Sequence, residues 1–289
     1  MTDEMDPKIK SLRQLYADSM VEFLKPFPSV RINGLDNFNE MTGGFRTNEF
    51  TILCGATGVG KTCFLANIAK CLTEQETPYF VASVETGAND FIKRMLSVYH
   101  GKDINRGDPV PPEEIRQLNL KVLEKACRAN AWFSLYDDRF SVDTLMSDIK
   151  NCVQTKGVKI ALVDNINFFL EVTSQQNAII EMDRVIHQLI IFCKRVNAHI
   201  VMVMHPKKTD GGRVESEFDI KGSSTAVQEA HNVFLFNRPH PDLIRRGYAD
   251  PSDRELKIVK MRRRGKYVGS SLLFSCPDGV SYKEKALIT

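Results

Sequence analysis

Gly55-Ala56-Thr57-Gly58-Val59-Gly60-Lys61-Thr62 follows the spacing G-x-x-x-x-G-K-[ST]. Glycines at these places let backbone N–H groups close around phosphate oxygens, and a helix starting at the lysine points its positive end at the same anion. In this pattern Lys61 reaches the outer phosphates and the Thr62 hydroxyl holds Mg²⁺. The context agrees. Phe50-Thr51-Ile52-Leu53-Cys54 is short, apolar and strand-like. Residues 63–72 repeat apolar side chains at helical spacing, with Phe64, Leu65, Ile68 and Leu72 on one side. Strand, glycine loop and helix in that order predict a nucleotide-binding α/β domain.

Composition narrows the class. The chain has 289 residues, 43% of them hydrophobic and 26% charged, which is expected of a globular, soluble α/β domain rather than a disordered segment. No apolar run approaches a membrane span. The acidic start, Met1 to Asp6, resembles neither a secretory signal nor an Arg-rich transit peptide. The seven cysteines form no C-x-x-C pair, so buried reduced thiols in a cytoplasmic setting are expected; a mitochondrial setting would require a transit segment already removed. The net charge of +3 says little about partners, but Lys260-Met261-Arg262-Arg263-Arg264-Gly265-Lys266 holds five cations and no acid.

Outward from the loop the pattern alternates. Strands are predicted at 78–84, 132–136, 159–163 and 199–204, and helices at 90–99, 113–129, 142–153 and 174–196, the last with Ile179, Met182, Ile186, Leu189 and Cys193 inward. Such alternation implies a parallel sheet flanked by helices. Residues 105–112 read as loop, and 233–236, 256–261 and 271–275 as strands with short connections. Residues 206–224 form the longest polar loop. Before the domain, Ile9, Leu12, Tyr16, Met20 and Phe23 make an apolar stripe on a helix over 8–24, ended by Pro26 and Pro28. That stripe packs either on its own domain or on a neighbouring subunit.

In an open parallel sheet, ligand groups gather at the carboxyl ends of strands. Asp164 ends one strand, where a carboxylate can hold Mg²⁺ through water or simply cap the chain. Glu85 ends another and can activate a water beside a γ-phosphate, or stand as a surface acid. His205 ends a third, ahead of Lys207, Lys208, Arg213 and Lys221. The 260–266 cluster allows three roles: contact with nucleic-acid phosphates, a cation acting on a neighbour's nucleotide, or a basic turn.

The ordered segments resemble the RecA-like domain of DnaB-type ring helicases, in particular the phage primase-helicase and Twinkle branch, over about residues 30–277. Ile32 to Asp36 with Gly43-Gly44-Phe45 resembles the family's entry segment. Ser83-Val84-Glu85 resembles its S-x-E, and Asp164 to Phe168 its second nucleotide motif. Met204 to Lys208 resembles the branch's His-Pro-basic signature, Gly222 to Val233 its DNA-loop and glutamine motif, and Lys260-Met261-Arg262 its K-x-R. His231 departs from an Asp frequent in that branch, and Arg263 and Arg264 make the finger turn more basic than usual.

The resemblance implies a RecA-like P-loop ATPase core with a C-terminal β-hairpin over 31–289, preceded by a linker helix over 1–30 that docks on the next protomer. It implies ATP and Mg²⁺ as cofactors, with the phosphate cradle at 55–62 and the metal at Thr62 and Asp164. Glu85 is implied as the base, His205 and Gln228 as the phosphate-state coupling pair, and Arg262 with Lys260 as fingers. Lys207, Lys208, Arg213, Lys221, Gly222 and Ser223 are implied for single-stranded DNA, with part of 167–178 as a further loop. A homo-oligomer, normally a hexamer, is implied, with a primase, polymerase or loader as further partners and no membrane. The family's usual N-terminal domain is not matched. Two rival readings share the loop: a RecA- or KaiC-like ATPase of recombination or regulation, and a loading factor that grips DNA without unwinding it. His205-Pro206-Lys207-Lys208 and the K-x-R favour the helicase.

Overall fold

The computed structural model describes residues 10–23, 28–104, 107, 110–136, 141–169, 175–207, 212–221 and 224–288. Lys208, Gly222, Ser223, Ile9 and 170–174 lie outside them, as do the side chains of Phe23 and 175–178. In chain order the first elements are α1 (Leu12–Phe23), β1 (Ser29–Val30), α2 (Asp36–Thr42), β2 (Phe45–Arg46), β3 (Phe50–Cys54), α3 (Lys61–Glu74), β4 (Tyr79–Ser83), α4 (Gly87–His100), α5 (Pro112–Arg128) and β5 (Ala131–Phe133). Then come α6 (Val142–Lys156), β6 (Ile160–Asp164), α7 (Gln175–Val196), β7 (His199–Met204), α8 (Ser224–Glu229), β8 (Asn232–Asn237), α9 (Pro241–Arg245), β9 (Arg254–Met261), β10 (Ser271–Ser275) and β11 (Lys283–Ile288).

One sheet organises the chain, in the order β11-β10-β9-β8-β3-β7-β6-β4-β5. From β8 to β5 the strands are parallel, while β9, β10 and β11 join antiparallel. The strand alternation explains the layering. Phe50, Ile52 and Cys54 of β3 face one core with α6, α7 and α8, while Leu53 faces the other with α3 and α4. Val201 and Val203 of β7 follow Leu53, and Ile200, Met202 and Met204 follow the opposite face. Both faces are covered, which is why these strands read as continuous apolar runs. A fully buried Leu or Ile of such a core stabilises by about 2 kcal/mol.

The alternating frame is found as expected, with differences at short or edge elements. α2, α9, β11 and the β1–β2 ribbon carry too few residues to show a period. β11 begins Lys283-Glu284-Lys285 and is half exposed at the sheet edge, so its composition reads as loop. Ile179 is 44% exposed rather than inward, while Met182, Ile186, Leu189 and Cys193 are buried as expected. The α1 stripe is not folded onto the domain: Leu12, Tyr16 and Met20 are all more than half exposed.

Candidate functional site

The phosphate loop sits between the carboxyl end of β3 and α3. A side chain on Gly55 would strike the Phe236 carbonyl of β8 at 2.2 Å, and Gly60 is left-handed (φ 102°) with the Tyr282 hydroxyl 2.4 Å from where a Cβ would stand. Both positions require glycine. No side chain caps α3, so its first N–H groups point into the loop and suit an anion. Lys61 is buried and donates to the Gly55 and Ala56 carbonyls at 2.7 and 3.0 Å. Burial holds its pKa below the ordinary lysine value, with Asp164 opposing.

Asp164 reaches the loop from β6. Its Oδ2 accepts the Thr62 hydroxyl at 2.5 Å, and its Oδ1 is buried with no hydrogen-bond partner. An orphaned carboxylate oxygen beside a threonine hydroxyl and an open phosphate cradle fits Mg²⁺, which takes few protein ligands and keeps water and phosphate oxygens as the rest. Among the described residues no group of three or more metal-ligating side chains gathers, as an all-protein cage would require. Burial pushes the Asp164 carboxyl up to about 6, outweighing the Thr62 hydrogen bond, and Glu85 adds to the rise.

Glu85 follows β4, whose neighbour β6 accepts the Val84 amide at the Asp164 carbonyl (2.7 Å). Asn165 bridges the site. Its Oδ1 accepts the Asn167 amide at 2.9 Å, which turns its Nδ2 toward Glu85 Oε2 and toward His205 Nε2, 3.1 Å away. His205 at the end of β7 also lies 3.5 Å from Glu85. Burial, then Lys61, holds its pKa below the ordinary value, so it is neutral near pH 7. A neutral ring that accepts at Nε2 carries its proton on Nδ1, the atom 3.4 Å from Lys61 Nζ. Lys61 and the His205 ring thus border the same cradle, where an anionic oxygen placed beside them meets both.

The segment beyond β7 returns on itself. Pro206 bridges Ile220, Lys221 N donates to the His205 carbonyl at 3.2 Å, and Lys207 N to the Asp219 carbonyl at 2.7 Å. Lys207 and Lys221 are exposed. Arg213 is tied inward, to Glu255 Oε2 at 2.8 Å and to the Arg238 carbonyl.

The K-x-R residues lie elsewhere. β9 runs against β8, so Arg254 at its start donates to the Val59 carbonyl at 2.7 Å, while Lys260 pairs with Val233 and Met261 with Asn232 at the opposite end of the sheet. Eight residues of extended chain separate Arg254 from Arg262 by about 25 Å. Arg262 donates to the Gln228 and Glu229 carbonyls at 3.0 and 2.9 Å, and Lys260 to those of Val227 and Gln228. Gln228 is exposed beside them, not at its own phosphate loop. His231 is built into this edge: its Nδ1 accepts the Phe50 amide at 3.1 Å, a neutral acceptor with its pKa lowered to about 4 by burial and nearby cations.

The fold therefore gathers the 55–62 loop, Glu85, Asp164 and His205 into one pocket and sets Gln228, Lys260 and Arg262 apart. The pocket also takes Arg94, Arg254 and Tyr282. These three carry no local signal, since only the packing of α4 and the C-terminal strands brings them in. Asn165 had one: it follows a strand-ending Asp.

Comparisons with known proteins bear on the family and the fold. A family model described as the DnaB-like helicase C terminal domain matches residues 32–277. The DNA helicase/primase of Enterobacteria phage T3 is 20% identical over 224 residues, covering 71% of this chain and 38% of that protein. The replicative DNA helicase DnaC of Bacillus subtilis (strain 168) is 36% identical over 64 residues, 22% of this chain and 14% of that protein. The chain thus spans well under half the length of these relatives. Among solved structures, a DnaB-like replicative helicase described with its interactions with primase superposes with a TM-score of 0.71 at 15% identity, covering 98% of this chain and 68% of that one. A second solved structure, described as an ATPase domain, gives 0.71 at 16% identity, covering 94% of this chain and 96% of that one. At such identities the likeness is one of fold. The family match starts at the buried Ile32 and takes in every strand of the parallel sheet, and on that extent the chain belongs to the DnaB-like helicase C-terminal domain family.

Proposed function

We propose that this chain is the motor domain of a replicative DNA helicase, a ring, normally a hexamer, that hydrolyses ATP between subunits while moving along single-stranded DNA. The observation that carries this reading is the split site. The carboxyl ends of the parallel strands hold a phosphate cradle with Thr62, Asp164 and Glu85 beside it, and the opposite strand ends present Lys260 and Arg262 beyond reach of that cradle. Two copies in a ring bring the halves together.

Loop amides and Lys61 hold the phosphates. Thr62 and Asp164 hold Mg²⁺, which supplies charge neutralisation on the phosphate oxygens. Glu85, oriented by Asn165, takes the proton of the attacking water. Arg262 and Lys260 of the next subunit meet the charge that develops on the γ-phosphate. His205 donates from Nδ1 to a phosphate oxygen, and its own carbonyl holds Lys221, so loss of phosphate is passed to the basic segment that grips DNA. Lys207 and Lys221 are its exposed cations among the described residues, and Lys208, Gly222 and Ser223 complete the segment by resemblance. Arg213 anchors the segment rather than touching DNA. Gln228 serves the finger edge. A primase partner, as described for the DnaB-like relative, belongs to the same reading.

The test is ATP hydrolysis with and without single-stranded DNA on protein sized by light scattering, together with unwinding of a forked duplex. Closed rings and strand separation are expected; helical filaments or binding without unwinding would favour the rival readings. Glu85→Gln should lower kcat about 10²–10³-fold while ATP still binds. Normal DNA-stimulated turnover in that variant would remove the base assignment.

A further inference from the structure

The turn after β9 carries three arginines, and the structure treats them differently. Glu49, the residue before β3, is 5% exposed, and a buried carboxylate needs partners. Its Oε1 makes an ion pair with Arg263 Nε at 3.0 Å and accepts no hydrogen bond, so charge rather than an aligned hydrogen bond holds the two together. Its Oε2 accepts Asn232 Nδ2 at 3.1 Å. The network continues inward: Asn232 also donates to Thr51 Oγ1 at 3.1 Å, Thr51 to His199 Nε2 at 2.8 Å, and His199 Nδ1 to the Arg46 carbonyl at 2.7 Å. Arg264 donates to the Glu40 carbonyl at 2.5 Å and lies against Gly43, where a Cβ would stand only 3.0 Å from its Nε. Arg263 and Arg264 are thus tied into the body of their own subunit. Among the described residues, Arg262 and Lys260 hydrogen-bond only to backbone carbonyls at the end of α8.

We infer that Glu49 is a positioning residue for the neighbour's reaction: by holding Arg263 it sets the turn from which Arg262 and Lys260 are presented to the next subunit's nucleotide. The inference rests on the shared-site reading above. It assigns the trans role to Arg262 and Lys260 and an anchoring role to Arg263. The physical reason is pre-organisation. A cation on a wandering turn must be ordered at each turnover, and small misplacements of a charge-stabilising group slow the chemical step without weakening ground-state binding.

Glu49→Gln keeps an acceptor for Asn232 and removes the charge that holds Arg263. Its kcat is expected to fall about tenfold, with KM for ATP and ring size unchanged. Mixed with Lys61→Ala subunits, whose own sites are dead but whose arginine turns are intact, Glu49→Gln subunits should regain turnover. Arg262→Ala in the same mixture is the control. If Arg262→Ala recovers and Glu49→Gln does not, Glu49 acts elsewhere and the inference is overturned, while the shared site stands. If Arg262→Ala also fails to recover, the shared-site reading itself is lost. Wild-type kcat in Glu49→Gln overturns the inference as well. Should Glu49→Gln fail to assemble, Arg263→Ala, altered at a half-exposed side chain, replaces it: the same drop and rescue are expected, with Arg263→Lys retaining more activity. Unchanged kcat in Arg263→Ala would overturn the inference.

Discussion

The Asp164 carboxylate has one oxygen on Thr62 and the other buried without a partner. Its pKa is raised from 3.8 to about 6. The folded state therefore binds this proton more tightly than the unfolded chain does, so its contribution to stability falls as pH rises from about 4 through 6. Above that range the charged group costs on the order of 3 kcal/mol. Asp164→Asn is expected to raise the melting temperature of the nucleotide-free protein at pH 7.5 by several degrees while abolishing hydrolysis; calorimetry and a phosphate-release assay read the two effects. Lys260 shows the opposite displacement. Burial, then Arg262, lowers its pKa from 10.5 to about 8. Its charge is present below that value and is lost as pH rises through it. Turnover should therefore fall on an alkaline limb that begins near pH 8 or above, because a bound triphosphate favours the charged form. Lys260→Arg, which cannot lose its proton in this range, should move that limb out of view in a pH–rate profile.

Between β7 and α8 the chain makes a return whose two strands meet at Pro206 and Ile220, with the His205 carbonyl holding Lys221. The side chain of His205 faces the phosphate pocket and its backbone belongs to the basic segment, so one residue belongs to both. His205→Ala removes the side chain and leaves the backbone bond. The expected result is basal ATP hydrolysis within about fivefold of the parent and loss of most of its stimulation by single-stranded DNA, measured by titrating oligonucleotide into the hydrolysis assay. Stimulation of normal size would show that coupling runs through another element. At this same scale β9 is the element that keeps Lys260 and Arg262 away from the phosphate loop. Its antiparallel run puts Arg254 on the loop and Arg262 at the opposite strand end, a consequence of strand direction alone.

At the scale of the whole molecule, the proposed ring would place two surfaces against a second copy. One is the finger edge. The other is α1, whose Leu12, Leu15, Tyr16 and Met20 are 79, 49, 67 and 54% exposed. An exposed apolar stripe on an otherwise ordinary surface marks an interaction site, and the linker-helix reading gives the adjacent protomer as its occupant. Leu12→Ser with Tyr16→Ser should leave the melting of the isolated subunit within about 0.5 kcal/mol, since these side chains are exposed. The same pair should shift assembly and hydrolysis to higher protein concentration, followed by light scattering and activity on one dilution series. Assembly indifferent to the two changes would place α1 elsewhere. Among the described residues no helix is long and apolar enough to cross a membrane.

Much of this arrangement could be read from the chain alone. The phosphate loop, the parallel strands around it and the polar residues at their ends, Glu85, Asp164 and His205, announce themselves because strand period, glycine loop and helix start are local properties. The DnaB-type resemblance added Gln228, Lys260 and Arg262 as names without places. Their places came from the tertiary structure, because the register and direction of β9 against β8 depend on contacts between residues far apart in sequence. The same holds for Arg213, which belongs to a basic loop by composition but is neutralised by Glu255, brought to it by the sheet. Glu49 is the clearest case. On paper it is one acid before a strand. Folded, it is a buried charge whose partner, Arg263, lies more than two hundred residues away in the chain.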